Sequence, residues 1–163
     1  MKCIAIMFIM IFCTTVGRYL SQKLYQRIKL LEQTNLMLNT IKTQIEYCNT
    51  PVREALERFK NLEFVDRCIN EWEKGKQFPQ AWSDSVDQSV NLNALKKADK
   101  EILKAFGNAF GTTDLNGQLN ICSFYINQVG ENLNDAKEQY KMYGRLYCAM
   151  GILSGTAIAI ILI

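Results

Sequence analysis

Apolar residues recur at helical spacing along nearly the whole chain. From Leu20 to about Cys48 no Gly or Pro interrupts. Leu24, Leu31, Leu38 and Ile45 return every seven residues there, with Ile28, Ile41 and Cys48 beside them. That period predicts one long helix with a single apolar face. Asn35 falls on the stripe, as a register-setting or partly exposed polar position. Asn49-Thr50-Pro51 should end this helix and start the next, with Thr50 as N-cap and Pro51 in the first turn. A short helix to about Lys60 follows. Asn61 is expected to cap another that carries Phe64, Val65, Cys68, Ile69 and Trp72 and ends near Lys74-Gly75. Phe78-Pro79 opens a further helix around Ala81, Trp82 and Val86. After a polar turn, Leu92, Leu95, Ala98, Ile102, Leu103, Phe106 and Phe110 make an i, i+3, i+4 stripe that Gly111 closes. Thr112 to Gly117 reads as a loop. The last stripe is the most regular: Leu119, Cys122, Ile126, Val129, Leu133, Ala136, Tyr140, Tyr143 and Tyr147, at alternating steps of three and four. No breaker separates it from the tail, so a continuous helix from Leu119 to Ile163 is predicted. With no strand pattern in sight, the fold class is all-α: a helical bundle whose first and last helices pair antiparallel.

Both ends of the chain lose their charge. Residues 146–163 hold no charged side chain, and Cys3 to Gly17 is a second uncharged run. An apolar helix of about 17–25 residues spans a bilayer. The expected organisation is therefore an N-terminal membrane anchor (1–17), a cytoplasmic helical domain (18–145) and a C-terminal transmembrane helix (146–163). Arg18, Lys23, Arg27, Lys29, Lys137, Lys141 and Arg145 flank the central region, whereas Lys2 alone lies beyond it. The positive-inside rule then puts the central region in the cytoplasm and both termini outside. Gly151-x-x-x-Gly155 is a small-xxx-small pattern that admits a close membrane-helix neighbour.

Composition narrows the chemistry. A net charge of +3, with no basic block outside the membrane flanks, gives no reason to expect nucleic acid. The chain has no histidine, and so lacks the commonest general base and metal ligand. Its six cysteines show neither zinc-site nor disulfide spacing and read as free thiols. Phosphate-binding, dinucleotide and nucleophile-elbow motifs are absent. Glu54 and Glu57 share a helix face, but solvated surface explains them better than acid–base chemistry. Trp72, Phe78 and Trp82 read as packing anchors rather than a ligand cage. No catalytic residue, cofactor or metal is expected.

Two further patterns stand out: Glu46-x-x-Asn49-Thr50-Pro51-x-x-Glu54-Ala55, and Phe106-Gly107-x-x-Phe110-Gly111-x-x-Asp114-x-x-x-Gln118. Together with Gln44-Ile45-Glu46-Tyr47, Ala81-Trp82, Leu103 and the glycines of the tail, they resemble the stage III sporulation protein AB family along essentially the whole chain. Ile45 and Glu46 stand in the reverse of that family's usual order, and Phe110 replaces its usual leucine. The resemblance implies a platform protein, GspF-like in type II secretion terms, within the transenvelope SpoIIIA complex between mother cell and forespore. It implies residence in the mother-cell membrane around the forespore. The implied partners are a secretion-type ATPase (SpoIIIAA-like) and other SpoIIIA membrane subunits. Glu46, Thr50, Pro51, Glu54, Phe106, Gly107, Gly111 and Asp114 are the candidate partner-binding residues, and Gly151 and Gly155 the candidates for membrane helix packing. The heptads suit either an intramolecular pair or a homo-oligomer. The alternative function is a membrane-anchored signalling subunit, but the external ends are too short to form a sensing domain.

Overall fold

The computed structural model of the chain describes residues 2–48 and 51–162, with side-chain surroundings given for all of these but 2–6, 8–10, 148, 155 and 159–162. Among them there is helix and no strand. The elements run α1 (Lys2–Cys48), α2 (Val52–Glu57), α3 (Glu63–Glu73), α4 (Phe78–Gln88), a 3-10 turn (Val90–Ala94), α5 (Lys97–Ala109), α6 (Leu115–Gln139), a π turn (Tyr140–Gly144) and α7 (Arg145–Leu162). The chain divides into two compact units, Leu30–Leu133 and the pair Met1–Lys29 with Asn134–Ile163.

The Leu30–Leu133 unit holds the larger core. Its α1 segment buries Leu31, Leu38, Ile41 and Ile45, as the heptad spacing requires, while Cys48 is exposed. Thr34 and Gln44 are buried among them, and Asn35 lies at the edge, half-buried and accepting from the Asn39 amide. On α3 and α4, Phe64, Val65, Cys68, Ile69, Ala81, Trp82 and Val86 are buried at helical spacing. Phe64, Val65, Ile69 and Val86 each contribute about 1.5–3 kcal/mol by this burial. Gly75, at φ 97°, stops α3 where a left-handed residue is needed.

Three boundaries differ from the sequence expectation. No side chain caps α3, and Leu62 rather than Asn61 occupies its N-cap. The stripe starting at Leu92 is not one helix: Leu92 lies in the 3-10 turn, and α5 starts only at Lys97. There the Asp99 carboxylate accepts from the Lys96 N–H at 2.9 Å, and its other oxygen accepts from the Asn132 amide of α6 at 2.8 Å. Asp99 is therefore buried and Ala98 exposed, reversing the simple periodic reading. The cap decides this, because a helix that begins five residues later restarts the phase of its faces. Finally, α6 begins at Leu115, four residues earlier than expected.

The predicted unbroken helix from Leu119 is interrupted by the π turn at Tyr140–Gly144. Along α6 and α7 one buried row runs at Cys122, Val129 and Ala136, with Leu133 buried beside it, and continues at Gly144 and Gly151. The step is seven on either side and eight across the turn. A π turn accommodates one extra residue, which shifts the buried face by one position. Tyr140 and Tyr143, expected on the stripe, are exposed instead. Among the described residues, no helix is long and apolar enough to cross a membrane, so the structure gives no support to the two expected terminal spans.

Candidate partner-binding surface

Helix α2 is held from three directions. Ala55 and Leu56 are fully buried, fixing one face of this six-residue helix. With its amide oxygen turned toward Arg58, buried Gln44 accepts from Arg58 Nη1 and Nε at 3.1 and 3.0 Å, tying α2 back to α1. Arg53 pairs with Glu73 of α3 and lies 3.8 Å from Glu57. Pro51, expected at the first helical position behind a Thr50 cap, instead occupies the N-cap itself with φ −56° and ψ 142°, no side chain caps α2, and the Pro51 carbonyl accepts from the Ala55 N–H at 3.1 Å. Thr50, the expected capping residue, lies outside the described residues.

This scaffold leaves Glu46, Tyr47, Cys48, Pro51 and Glu54 facing solvent. Tyr47 is 77% exposed. Glu54 lies in the first turn of α2, where a negative charge is favourable. Neither Glu46 nor Glu54 forms an ion pair among the described residues, whereas Glu57, Glu63, Glu71 and Glu73 all have cationic partners.

The second candidate segment is absorbed by packing and capping. Phe106 is fully buried, stacked on Phe110 at 4.7 Å and edge-on to Trp82 and to Tyr125 of α6. Gly107 lies under the Trp82 indole, so that a Cβ there would fall inside the ring. Trp82 Nε1 donates to the Leu103 carbonyl at 2.7 Å, holding the indole over the glycine. Gly111 has φ 82° and follows the C-cap Phe110. Asp114 is the N-cap of α6: its Oδ1 accepts from the Gly117 N–H at 3.1 Å, and Gln118 donates to the Thr113 carbonyl at 3.0 Å. Of the four candidates Phe106, Gly107, Gly111 and Asp114, Gly111 and Asp114 are exposed.

Gly151 has a neighbour inside its own chain. A Cβ on Gly151 would lie 2.7 Å from the Cys13 carbonyl oxygen and 3.3 Å from the Gly17 Cα; one on Gly17 would lie 2.6 Å from the Tyr147 carbonyl oxygen. The start of α1 and α7 thus cross glycine on glycine. Gly155 lies in α7, with its surroundings outside the described set. Periodicity did not single out Gly17, because a glycine ending an apolar run reads first as a boundary. Gly144 carries the ring of Tyr140, whose Cδ2 would be 2.9 Å from an added Cβ.

Charge on the α3–α4 face is mutually compensated. Glu71 accepts from Lys76 at 2.7 Å and Lys74 at 2.9 Å, and these bonds, Lys76 first, hold its carboxyl down at about 2. The depressed value means that the pairing contributes stability above about pH 4.5, lost as pH falls toward about 2. Lys76 also reaches Asp84 at 3.3 Å, and Lys104 reaches Asp87 at 2.7 Å; both ammonium groups are held above the ordinary lysine range by these partners. Burial pushes the Cys68 thiol up to about 12 and the Cys122 thiol to about 11. Buried neutral thiols of this kind are inert packing groups. Among the described residues, no cluster of three or more Cys, Asp or Glu is placed to hold a metal ion.

The family model for stage III sporulation protein AB matches residues 2–163. The chain is 22% identical to stage III sporulation protein AB of Bacillus subtilis (strain 168), over 99% of both chains. No solved structure matches. A family match that spans the chain from residue 2 to its last residue settles the relationship, and the chain belongs to the stage III sporulation protein AB family.

Proposed function

We propose that this sporulation protein is a non-enzymatic membrane platform subunit that docks a secretion-type ATPase through the α1–α2 turn. One observation carries the reading: Glu46 on α1 and Glu54 on α2 are exposed carboxylates without ion pairs among the described residues, on two helices tied together through Gln44 and Arg58, whereas the other candidate segment is committed to packing and capping. The partner surface is basic, since unpaired carboxylates reward contact with Lys or Arg. Tyr47 adds an exposed aromatic anchor of the kind that carries binding energy at interfaces.

The anchor in this reading is the glycine-on-glycine hairpin of residues 2–17 and 146–163. Eighteen uncharged residues in the second arm and a close backbone approach at Gly17 and Gly151 support it. The membrane is the mother-cell membrane around the forespore, with the body on the cytoplasmic side, and the other subunits are membrane proteins of the same SpoIIIA complex.

The test is recruitment of the ATPase in a sporulating host. The Glu46→Gln/Glu54→Gln chain should recruit at least about fivefold less ATPase while accumulating normally, on the scale of two lost interface charge pairs. Asp114→Asn keeps a capping oxygen and removes only charge, so recruitment should be unchanged. Normal recruitment by the double variant would remove the turn as the docking surface.

A further inference from the structure

Charge divides unequally between the two units. Residues 1–29 and 134–163 hold eight Lys and Arg against two Asp and Glu, net +6; residues 30–133 hold eleven against fourteen, net −3. Within the first unit, residues 3–17 and 146–163 are uncharged, and the cations gather where those runs stop. Arg18 and Lys23 lie on α1, Lys141 in the π turn and Arg145 at the start of α7, and all four are exposed. None of the four has a carboxylate partner among the described residues.

The helix crossing sets these cations in two tiers at the end of the uncharged runs, Arg18 with Arg145 and, about one turn further along, Lys23 with Lys141. Because the Tyr147 carbonyl lies directly against Gly17, Arg18 and Tyr19 on one helix stand beside Arg145 and Tyr147 on the other. Tyrosines flank both tiers: Tyr143 stacks on Tyr147 at 6.1 Å, Tyr19 is 66% exposed, and Tyr25 packs on Tyr140 at 5.8 Å about two turns beyond Gly17. Exposed phenols interleaved with unpaired Lys and Arg, next to uncharged helix, match the chemistry of a bilayer's headgroup layer. The ring lies among the acyl–headgroup boundary atoms, the hydroxyl meets water, and the cations donate to phosphate oxygens. The π turn contributes directly, since its extra residue turns Tyr140 and Tyr143 outward and puts Gly144 on the buried face.

We propose that this collar of Arg18, Lys23, Lys141 and Arg145 with the surrounding tyrosines seats an anionic phospholipid surface, making attachment depend on headgroup charge. The inference rests on the membrane-anchor reading and adds lipid selectivity to it.

Flotation of the full chain with preformed vesicles tests it, comparing phosphatidylcholine alone with vesicles containing about one-third phosphatidylglycerol. The wild-type chain should partition about tenfold or more in favour of the anionic vesicles, from about four cations near the surface. About 0.5 M NaCl should remove most of that gain. The Arg18→Gln/Lys23→Gln/Lys141→Gln/Arg145→Gln chain, with unchanged helicity by circular dichroism, should bind both vesicles within about twofold of each other. A Lys60→Gln/Lys97→Gln control, in the other unit, should keep the gain. Equal wild-type binding to both vesicles would overturn lipid selectivity and leave the anchor standing, as would a quadruple variant that keeps the gain or a control that loses it. Binding to neither vesicle would overturn both readings.

Discussion

Gly107 and Trp82 show how one position constrains another twenty-five residues away. The indole occupies the space that any Cβ at position 107 would need, and its N–H is already committed to the Leu103 carbonyl. Neither partner can move cheaply, because Trp82 is fully buried between Phe64, Phe78 and Phe106. Gly107→Ala should therefore lower the stability of the chain by about 1–3 kcal/mol, read as a lower midpoint of thermal or denaturant unfolding. An unchanged midpoint would mean that the indole is looser than its contacts require. A glycine inside a helical stripe already signals a close approach in the sequence. What approaches it is not legible there, since Trp82 belongs to a different helix and the contact is long-range. Asp114 carries a similar lesson: its spacing to Gly117 and Gln118 is a capping arrangement, and the sequence pattern alone reads equally well as a binding motif.

At the scale of the element, apolar period locates most helices correctly and misplaces their phase where a cap or an extra residue intervenes. The period is a property of uninterrupted helix, so it cannot register the late start of α5 or the residue added by the π turn. That extra residue turns Gly144 and Gly151, rather than tyrosines, toward the buried face. Gly151 then meets the backbone of α1 at two points, the Cys13 carbonyl and the Gly17 Cα, and backbone cannot step aside as a flexible side chain can. Gly151→Ala should force the two helices apart, lowering the thermal midpoint of the detergent-solubilised chain by several degrees, on the scale of about 1–2 kcal/mol. Ala at Gly130, where an added Cβ meets nothing within 4 Å, should leave the midpoint unchanged or raise it slightly. Equal midpoints for wild type and Gly151→Ala would show that the crossing tolerates an added methyl group.

Across the whole molecule, the cysteines report which parts open together. Cys48 is exposed at the end of α1, whereas Cys68 and Cys122 are fully buried, with thiols held in the neutral form far above neutral pH. At about pH 8, a thiol reagent should modify Cys48 in the folded chain, and should reach Cys68 and Cys122 only at the denaturant concentration that unfolds the Leu30–Leu133 unit. Early, separate modification of Cys122 would mean that α6 detaches from the core before the unit unfolds. The same scale holds the functional contrast. One unit gathers Arg18, Lys23, Lys141, Arg145 and tyrosines beside uncharged helix, and the other presents Glu46 and Glu54 on the exposed ends of α1 and α2.

The sequence by itself determined the all-helical class, the buried faces of α1, α3 and α4, the membership of a sporulation family and the absence of histidine chemistry. These follow from local quantities: helical period, residue type and motif spacing act over a few turns and need no partner to be read. The tertiary structure alone decided which glycines serve close contact and which of two similar motifs stays exposed. It also decided where the last helix changes register. Those outcomes depend on what lies across the interface, a Trp82 ring, a Cys13 carbonyl or the Asn132 amide, and nothing within a few turns of the affected residue encodes its distant neighbour.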